Sequence, residues 1–194
     1  MVDQLNIIMG AKNNPQNKRV DNDFYATHPS ALESFLKKLR EDRVELSYDI
    51  WECSCGQGHL SEVLKNWGYN VRSSDLINRG YGEIKDFLAT ESLEYNFDIL
   101  TNPPYNLAEK FIEKGMELLG KERKLILFLK IQFLESKKRL ELFKKFPPKY
   151  VYVHSERQLT SRNAEFDKYN TRSIAFIWII WEKGFNNDTI LRWI

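Results

Sequence analysis

Asn102-Pro103-Pro104-Tyr105 puts a side-chain amide, a backbone carbonyl and an aromatic ring into four consecutive positions. Each proline fixes its own φ at about −65° and pushes the residue before it into an extended conformation. The tetrapeptide is therefore a stiff, non-helical tip with few backbone donors and a fixed set of carbonyls. An amide oxygen, a rigid carbonyl and a ring held together in this way suit the gripping of a planar amino group. The tip follows Phe97-Asp98-Ile99-Leu100-Thr101, an apolar run that reads as a buried strand, and precedes a strongly periodic helix.

A second stretch with chemistry is Glu52-Cys53-Ser54-Cys55-Gly56-Gln57-Gly58, a strand end that runs into a glycine turn. Gly56 and Gly58 allow a tight turn and close approach of a ligand to the backbone. Asp75 closes the next expected strand 23 residues after Glu52, where a carboxylate can take both hydroxyls of a ribose. The third glycine of a dinucleotide fingerprint is missing, because Ser61 stands in its place, and no G-x-x-x-x-G-K-[ST] run marks a triphosphate site. A carboxylate at the first strand end suits a cationic cofactor better than a pyrophosphate. With Asp75 and the proline tip added, S-adenosylmethionine is the expected ligand. Cys53 and Cys55, with only three scattered histidines, His28, His59 and His154, make neither a disulfide framework nor a metal set. No metal is expected, and the cysteines read as small packing residues.

These two stretches need elements to carry them, and the chain alternates accordingly. Strands are expected at 49–52, 69–75, 84–87, 97–101, 125–129, 150–154 and 174–181. Helices are expected at about 31–41, 59–67, 108–119 and 134–145. Ser30 and Glu33 form a capping-box pattern ahead of the first helix. Gly68 and Gly120 read as helix stops. Such alternation predicts an α/β fold, a doubly wound, mostly parallel seven-stranded sheet with helices on both faces. In such sheets ligands sit outside the carboxyl ends of the strands, near the topological switch point. The proline tip, the glycine turn and Asp75 all fall there. Residues 1–22 are polar and read as a flexible arm, or a lid that orders when something binds, residues 23–194 as one domain, and 190–194 as a short tail.

Across 194 residues the formal net charge is +2, but it is unevenly spread. Lys121 to Lys149 holds ten Lys/Arg against three Asp/Glu, a basic band that is either a solvated helix face or a surface for a phosphate backbone. Lys137, Lys138 and Arg139 lie in it. Ser155 to Ser173 is long, polar and unpatterned, with Arg157, Arg162 and Arg172. A loop of that length in a compact domain is functional or disordered, and contact with nucleic acid or closure over the base is the expectation. No apolar run approaches the roughly 18 residues of a membrane span and no signal-peptide core opens the chain. A soluble, cytoplasmic protein with no membrane partner is expected, with the oligomeric state open.

Asp23-Phe24-Tyr25-Ala26-Thr27, Trp51-Glu52-Cys53-Ser54-Cys55-Gly56-Gln57-Gly58-His59-Leu60 and Asn102-Pro103-Pro104-Tyr105, in this order, resemble the phage-type DNA N6-adenine methyltransferases. Ile131–Arg139 and Ala175–Gly184 are similar to that family's segment after the fifth strand and to its last strand. The resemblance covers roughly residues 23–194. It implies a class I methyltransferase-like (Rossmann-like) fold, S-adenosylmethionine as cofactor, DNA as partner and methyl transfer to adenine N6. It further implies that Asn102 and Pro103 grip the amine, Pro104 stiffens the tip and Tyr105 stacks on the base. Tyr25 and Thr27 would meet the methionine end of the cofactor, and Glu52 and Gly58 its middle. Asp75 would meet the ribose, with Asp86 and Phe87 beside the adenine. Ser54, Gly56, Leu76 and Asn102 complete the cofactor set. The same tip serves enzymes that act on RNA or on a protein glutamine, and a non-catalytic nucleic-acid binder with a decayed site is the reading from another class.

Overall fold

Parallel strands buried on both faces read as continuous apolar runs, and helices that cover them show an apolar stripe at every third or fourth position. Both patterns are realised in the computed structural model, which describes residues 25–92, 96–156, 160–162 and 174–194. The expected arm at 1–22, Asp23, Phe24, Arg157 and Arg172 lie outside the described residues; Tyr25 and Arg162 are described in their backbone alone.

The strands are β1 (Tyr25–Thr27), β2 (Asp49–Glu52), β3 (Asn70–Asp75), β4 (Glu83–Ile84), β5 (Asp98–Thr101), β6 (Lys124–Lys130), β7 (Tyr150–Val153), β8 (Thr160–Arg162), β9 (Phe176–Glu182) and β10 (Ile190–Trp193). The helices are α1 (Pro29–Glu41), α2 (His59–Asn66), α3 (Ala108–Leu118) and α4 (Leu140–Lys145). The main sheet runs β4-β3-β2-β5-β6-β9-β7-β10. β9 is antiparallel to both neighbours and every other pairing is parallel. β1 and β8 form a separate antiparallel ribbon.

The faces of the sheet sort by the pleat. Ile50, Leu100, Ile126, Phe128 and Trp178 point to the side covered by α1 and α2. Trp51, Ile99, Leu125, Leu127 and Trp181 point to the side covered by α3. Trp178 stacks on Phe35 of α1 at 4.7 Å between ring centroids and donates from Nε1 to Ala31 O. Both tryptophans are core. Asp98, fully buried on β5, accepts from the backbone N–H groups of Ser47 (2.7 Å) and Lys124 (2.8 Å) and so fixes the entries to two neighbouring strands.

Several expectations are corrected. Among the described residues the main sheet has eight strands, because Ile190–Trp193 is an edge strand beside β7 and not a tail. The third strand is only Glu83–Ile84. The first helix starts at Pro29 and is capped by His28, whose ring nitrogen accepts from Ser30 N at 3.3 Å, in place of the Ser30/Glu33 box. Proline at the first helical position moves the start one residue ahead of Ser30. The Lys-rich helix is α4 alone, preceded by 3-10 turns at Ile131–Leu134 and Lys137–Arg139. α3 ends on an extended Leu119, whereas Gly68 takes the left-handed φ of +91° expected of a helix stop. The Ser155–Ser173 stretch contains β8.

Candidate active site

β2 feeds α2 on one face of the sheet, and its neighbour β5 feeds α3 on the other. The chain continuations diverge between their carboxyl ends, which opens the crevice where ligands sit in doubly wound sheets. A cavity of about 480 Å³ lies there, lined by the ends of β2, β3 and β5, by Ala26 and Thr27 of β1, and by the start of α2. That size lies within the roughly 300–1,000 Å³ of small-molecule sites.

The glycine turn is shaped by backbone chemistry. Gly58 sits at the start of α2 with φ +84°, and a Cβ there would lie 2.5 Å from the Tyr81 ring. Tyr81 is itself held by Glu62 (2.5 Å) and Lys65 (2.7 Å). Gly82, at φ +72°, would place a Cβ 2.8 Å from Cys55 Sγ. Glycine is required at both positions, and the β3–β4 loop is pressed onto the turn. Asp75 stitches the two together: Oδ2 accepts from Gly56 N (2.8 Å) and Oδ1 from Ile77 N (3.0 Å). Each carboxylate oxygen keeps a second lone pair for a ligand hydroxyl.

Glu52 lines the cavity yet is only 1% exposed, and it accepts a hydrogen bond from Ser61 Oγ. Burial pushes its carboxyl up to about 8, against the pull of the Ser61 hydrogen bonds and with the repulsion of Asp75 added. A cation in the cavity would restore the charged form. Burial also raises both cysteines, Cys53 strongly and Cys55 to about 12, so neither thiol is a nucleophile near neutrality.

At the tip, Pro104 takes φ −54° and ψ 121°, and its carbonyl accepts from Leu107 N at 2.8 Å to start a 3-10 turn, Tyr105–Leu107. Asn102 Nδ2 donates to Thr27 Oγ1 at 2.9 Å, a contact across 75 positions of sequence. Asn102, Pro103, Pro104 and Tyr105 all line the cavity. The Lys130 ammonium, at the end of β6, stands 4.5 Å from the centre of the Tyr105 ring.

The cavity thus brings together Thr27, Glu52, Ser54, Asp75, Leu76, Asp86, Phe87 and the whole tip. Phe87 is also core, 2% exposed and edge-on to Trp51. Lys137 and Lys138 are exposed. Arg139 is turned inward: its guanidinium donates to Glu109 and to the carbonyls of Gln132, Phe133 and Glu135, and it packs over the Phe133 ring. It locks the turn ahead of α4 instead of presenting charge outward. Sequence reasoning missed His59, Arg79 and Phe111 in the lining. His59 directly follows Gly58 and Arg79 lies four positions past Asp75, so a wider window around each strand end would have found both. Phe111 gave the signal of a core helix residue. Among the described residues no helix is long and apolar enough to cross a membrane, and no group of three or more His, Cys, Asp or Glu could hold a metal ion.

No protein-family model matches the sequence, and no curated protein matches it. Solved structures do. A protein from Listeria monocytogenes, provisionally described as a class I S-adenosylmethionine-dependent methyltransferase, superposes with TM-score 0.62 at 15% identity, over 98% of this chain and 71% of that one. A provisionally described RNA methyltransferase from Pyrococcus horikoshii gives 0.59 at 14% identity, over 94% and 98%. A Lactococcus lactis protein provisionally described as a hemolysin gives 0.58 at 12% identity, over 82% and 90%. The fold is that of class I methyltransferases, with an eighth strand at its edge.

Proposed function

We propose that this chain is an S-adenosylmethionine-dependent methyltransferase acting on the exocyclic N6 amine of adenine in DNA. The observation that supports the reading is that the Asn-Pro-Pro-Tyr tip, Ser54 and Cys55 ahead of the glycines, His59 after them, and Asp75 all line one cavity at the carboxyl ends of the strands.

The residues present fit the cofactor. The wall carries Glu52, Asp75 and Asp86 for a ligand with a positive centre and ribose hydroxyls. Glu52, Asp75, Leu76, Asp86 and the turn around Gly56 and Gly58 would hold it. When bound, S-adenosylmethionine supplies an electrophilic methyl group on a positively charged sulfur.

An amine conjugated to a purine ring is a weak nucleophile. Asn102 Oδ1 and the Pro103 carbonyl accept its two hydrogens, which draws electron density onto the nitrogen and orients the lone pair. Tyr105 stacks on the base. Positioning and the exclusion of water carry the attack with no general base, and the nitrogen, positively charged once methylated, sheds one proton to solvent afterwards. A base in a duplex must be flipped out to reach such a cavity, at a cost of a few kcal/mol. Lys137, Lys138 and the arginines of the Ser155–Ser173 segment are the proposed phosphate contacts.

RNA is the second reading, favoured by the similarity to a structure described as an RNA methyltransferase. Incubation with methyl-labelled S-adenosylmethionine and equal amounts of unmethylated DNA, RNA or protein decides between them. The DNA reading expects label on DNA; label confined to RNA or protein overturns it.

A further inference from the structure

An asparagine amide looks nearly the same to its neighbours after a half-turn about its last bond, but the half-turn exchanges acceptor for donor. With the wrong face forward, Asn102 would meet a target amine donor against donor. The orientation therefore has to be set from outside the tip. We propose that Thr27 is the residue that sets it: its hydroxyl oxygen accepts from Asn102 Nδ2 at 2.9 Å, which leaves Oδ1 as the acceptor end of the amide. In the reversed amide the hydroxyl would donate to Oδ1 instead and turn the acceptor away from the target amine, so Thr27 anchors one end of the amide and leaves the other facing the cavity.

Three features make Thr27 able to do this. It is 3% exposed, so water does not substitute for its hydroxyl. It lines the same cavity as Asn102. And it lies on β1, which is no part of the main sheet but is held by antiparallel pairing to β8, with Thr27 opposite Thr160. The amide on a central strand of the sheet is thus oriented from a separate ribbon, and the segment that carries β8 is coupled to the tip through Thr27. This is a positioning role, distinct from contact with the cofactor, and it rests on the reading of Asn102 as the acceptor for the target amine.

The test compares Thr27→Val, which keeps the shape and removes the hydroxyl, with Thr27→Ser, which keeps the hydroxyl. The first readout is the side-chain amide signal of Asn102 in a proton–nitrogen NMR spectrum, identified by its loss in Asn102→Ala. Solvent exchange of those amide protons should quicken about tenfold in Thr27→Val and stay at the wild-type rate in Thr27→Ser, as expected when one buried hydrogen bond is lost. The second is DNA methylation: kcat should fall about 10- to 100-fold in Thr27→Val, with KM for DNA and the affinity for S-adenosylhomocysteine within about threefold, the pattern of lost orientation and intact binding.

Unchanged amide exchange and unchanged kcat in Thr27→Val overturn the proposal. So does a loss of S-adenosylhomocysteine affinity with kcat intact at saturation, which would make Thr27 a cofactor contact only. If wild-type protein transfers no methyl group to DNA, the reading of the target fails separately, and the exchange rates alone decide whether Thr27 holds the amide. Should Thr27→Val not fold, Thr27→Ala is judged by the same criteria.

Discussion

On the proposed function Asn102 carries the chemistry of the site, and its removal should be felt in turnover far more than in binding. Asn102→Ala should lower kcat by about 10²–10³-fold, the usual cost of deleting one pre-oriented polar group that acts on the transition state. The affinity for S-adenosylhomocysteine, measured by calorimetry, should stay within a few-fold. A variant that loses cofactor binding instead would place Asn102 in the cofactor site alone. Beside it, the Lys130 ammonium over the Tyr105 ring gives the proposed stacking residue a fixed plane. Lys130→Met should reduce single-turnover methylation up to about 30-fold, corresponding to a cation–π contact of ~0.5–2 kcal/mol. The tip itself was legible in sequence because two prolines in succession leave few conformations. Its partners Thr27 and Lys130 were not legible as partners, because a contact across 75 positions and a ring–cation contact between the end of β6 and the turn after β5 leave no local spacing to read.

Arg139 shows how an element can absorb a charge that looks available in sequence. Its guanidinium closes the irregular passage from β6 to α4 by binding three carbonyls and Glu109. Arg139→Ala should destabilise the protein by about 1–3 kcal/mol, since the carbonyls lose a charged donor, and urea titration reads that directly. Lys137→Ala and Lys138→Ala, which alter exposed side chains, should leave the urea midpoint unchanged. Each should reduce the salt dependence of DNA affinity by a slope of about 1. The alternation of strands and helices was legible because α1, α2 and α3 keep a clean apolar stripe. The α4 region was not, since Lys-rich helical composition cannot distinguish a continuous helix from 3-10 turns tied by one arginine. β10 was missed for a related reason: Ile190-Leu191-Arg192-Trp193 is an exposed edge with no alternation of burial, and only its pairing with β7 identifies it.

At the scale of the whole molecule, a buried acid at the cavity wall links folding stability to pH. Glu52 titrates at about 8 when folded, against an ordinary 4.5. Its favourable contribution is complete below 4.5 and is lost as pH rises to 8, because the folded state holds a proton that the unfolded chain has released. His154 runs the opposite way, with burial lowering it from 6.5 to about 4, so its contribution is gained between those values. The two oppose each other below pH 6.5, and above it the Glu52 loss is left, at up to ~1.4 kcal/mol per pH unit. The melting temperature should fall between pH 6.5 and 8 in the wild type and stay flatter in Glu52→Gln; a wild-type rise over that window contradicts the assignment. The doubly wound, mostly parallel sheet followed from the alternation of elements, whereas its strand order and the inward burial of Glu52 did not, the latter depending on how Ser61 and Ser73 pack beneath it. On the proposed function a tip at the switch point of the sheet grips one particular exocyclic amine. Adenine N6 and cytosine N4 both offer such an amine, so the most direct measurement is nucleoside analysis of DNA labelled by the wild-type protein and by Asn102→Ala. The account predicts label in N6-methyladenine alone, lost in Asn102→Ala; label in another nucleoside, or label undiminished in Asn102→Ala, contradicts it.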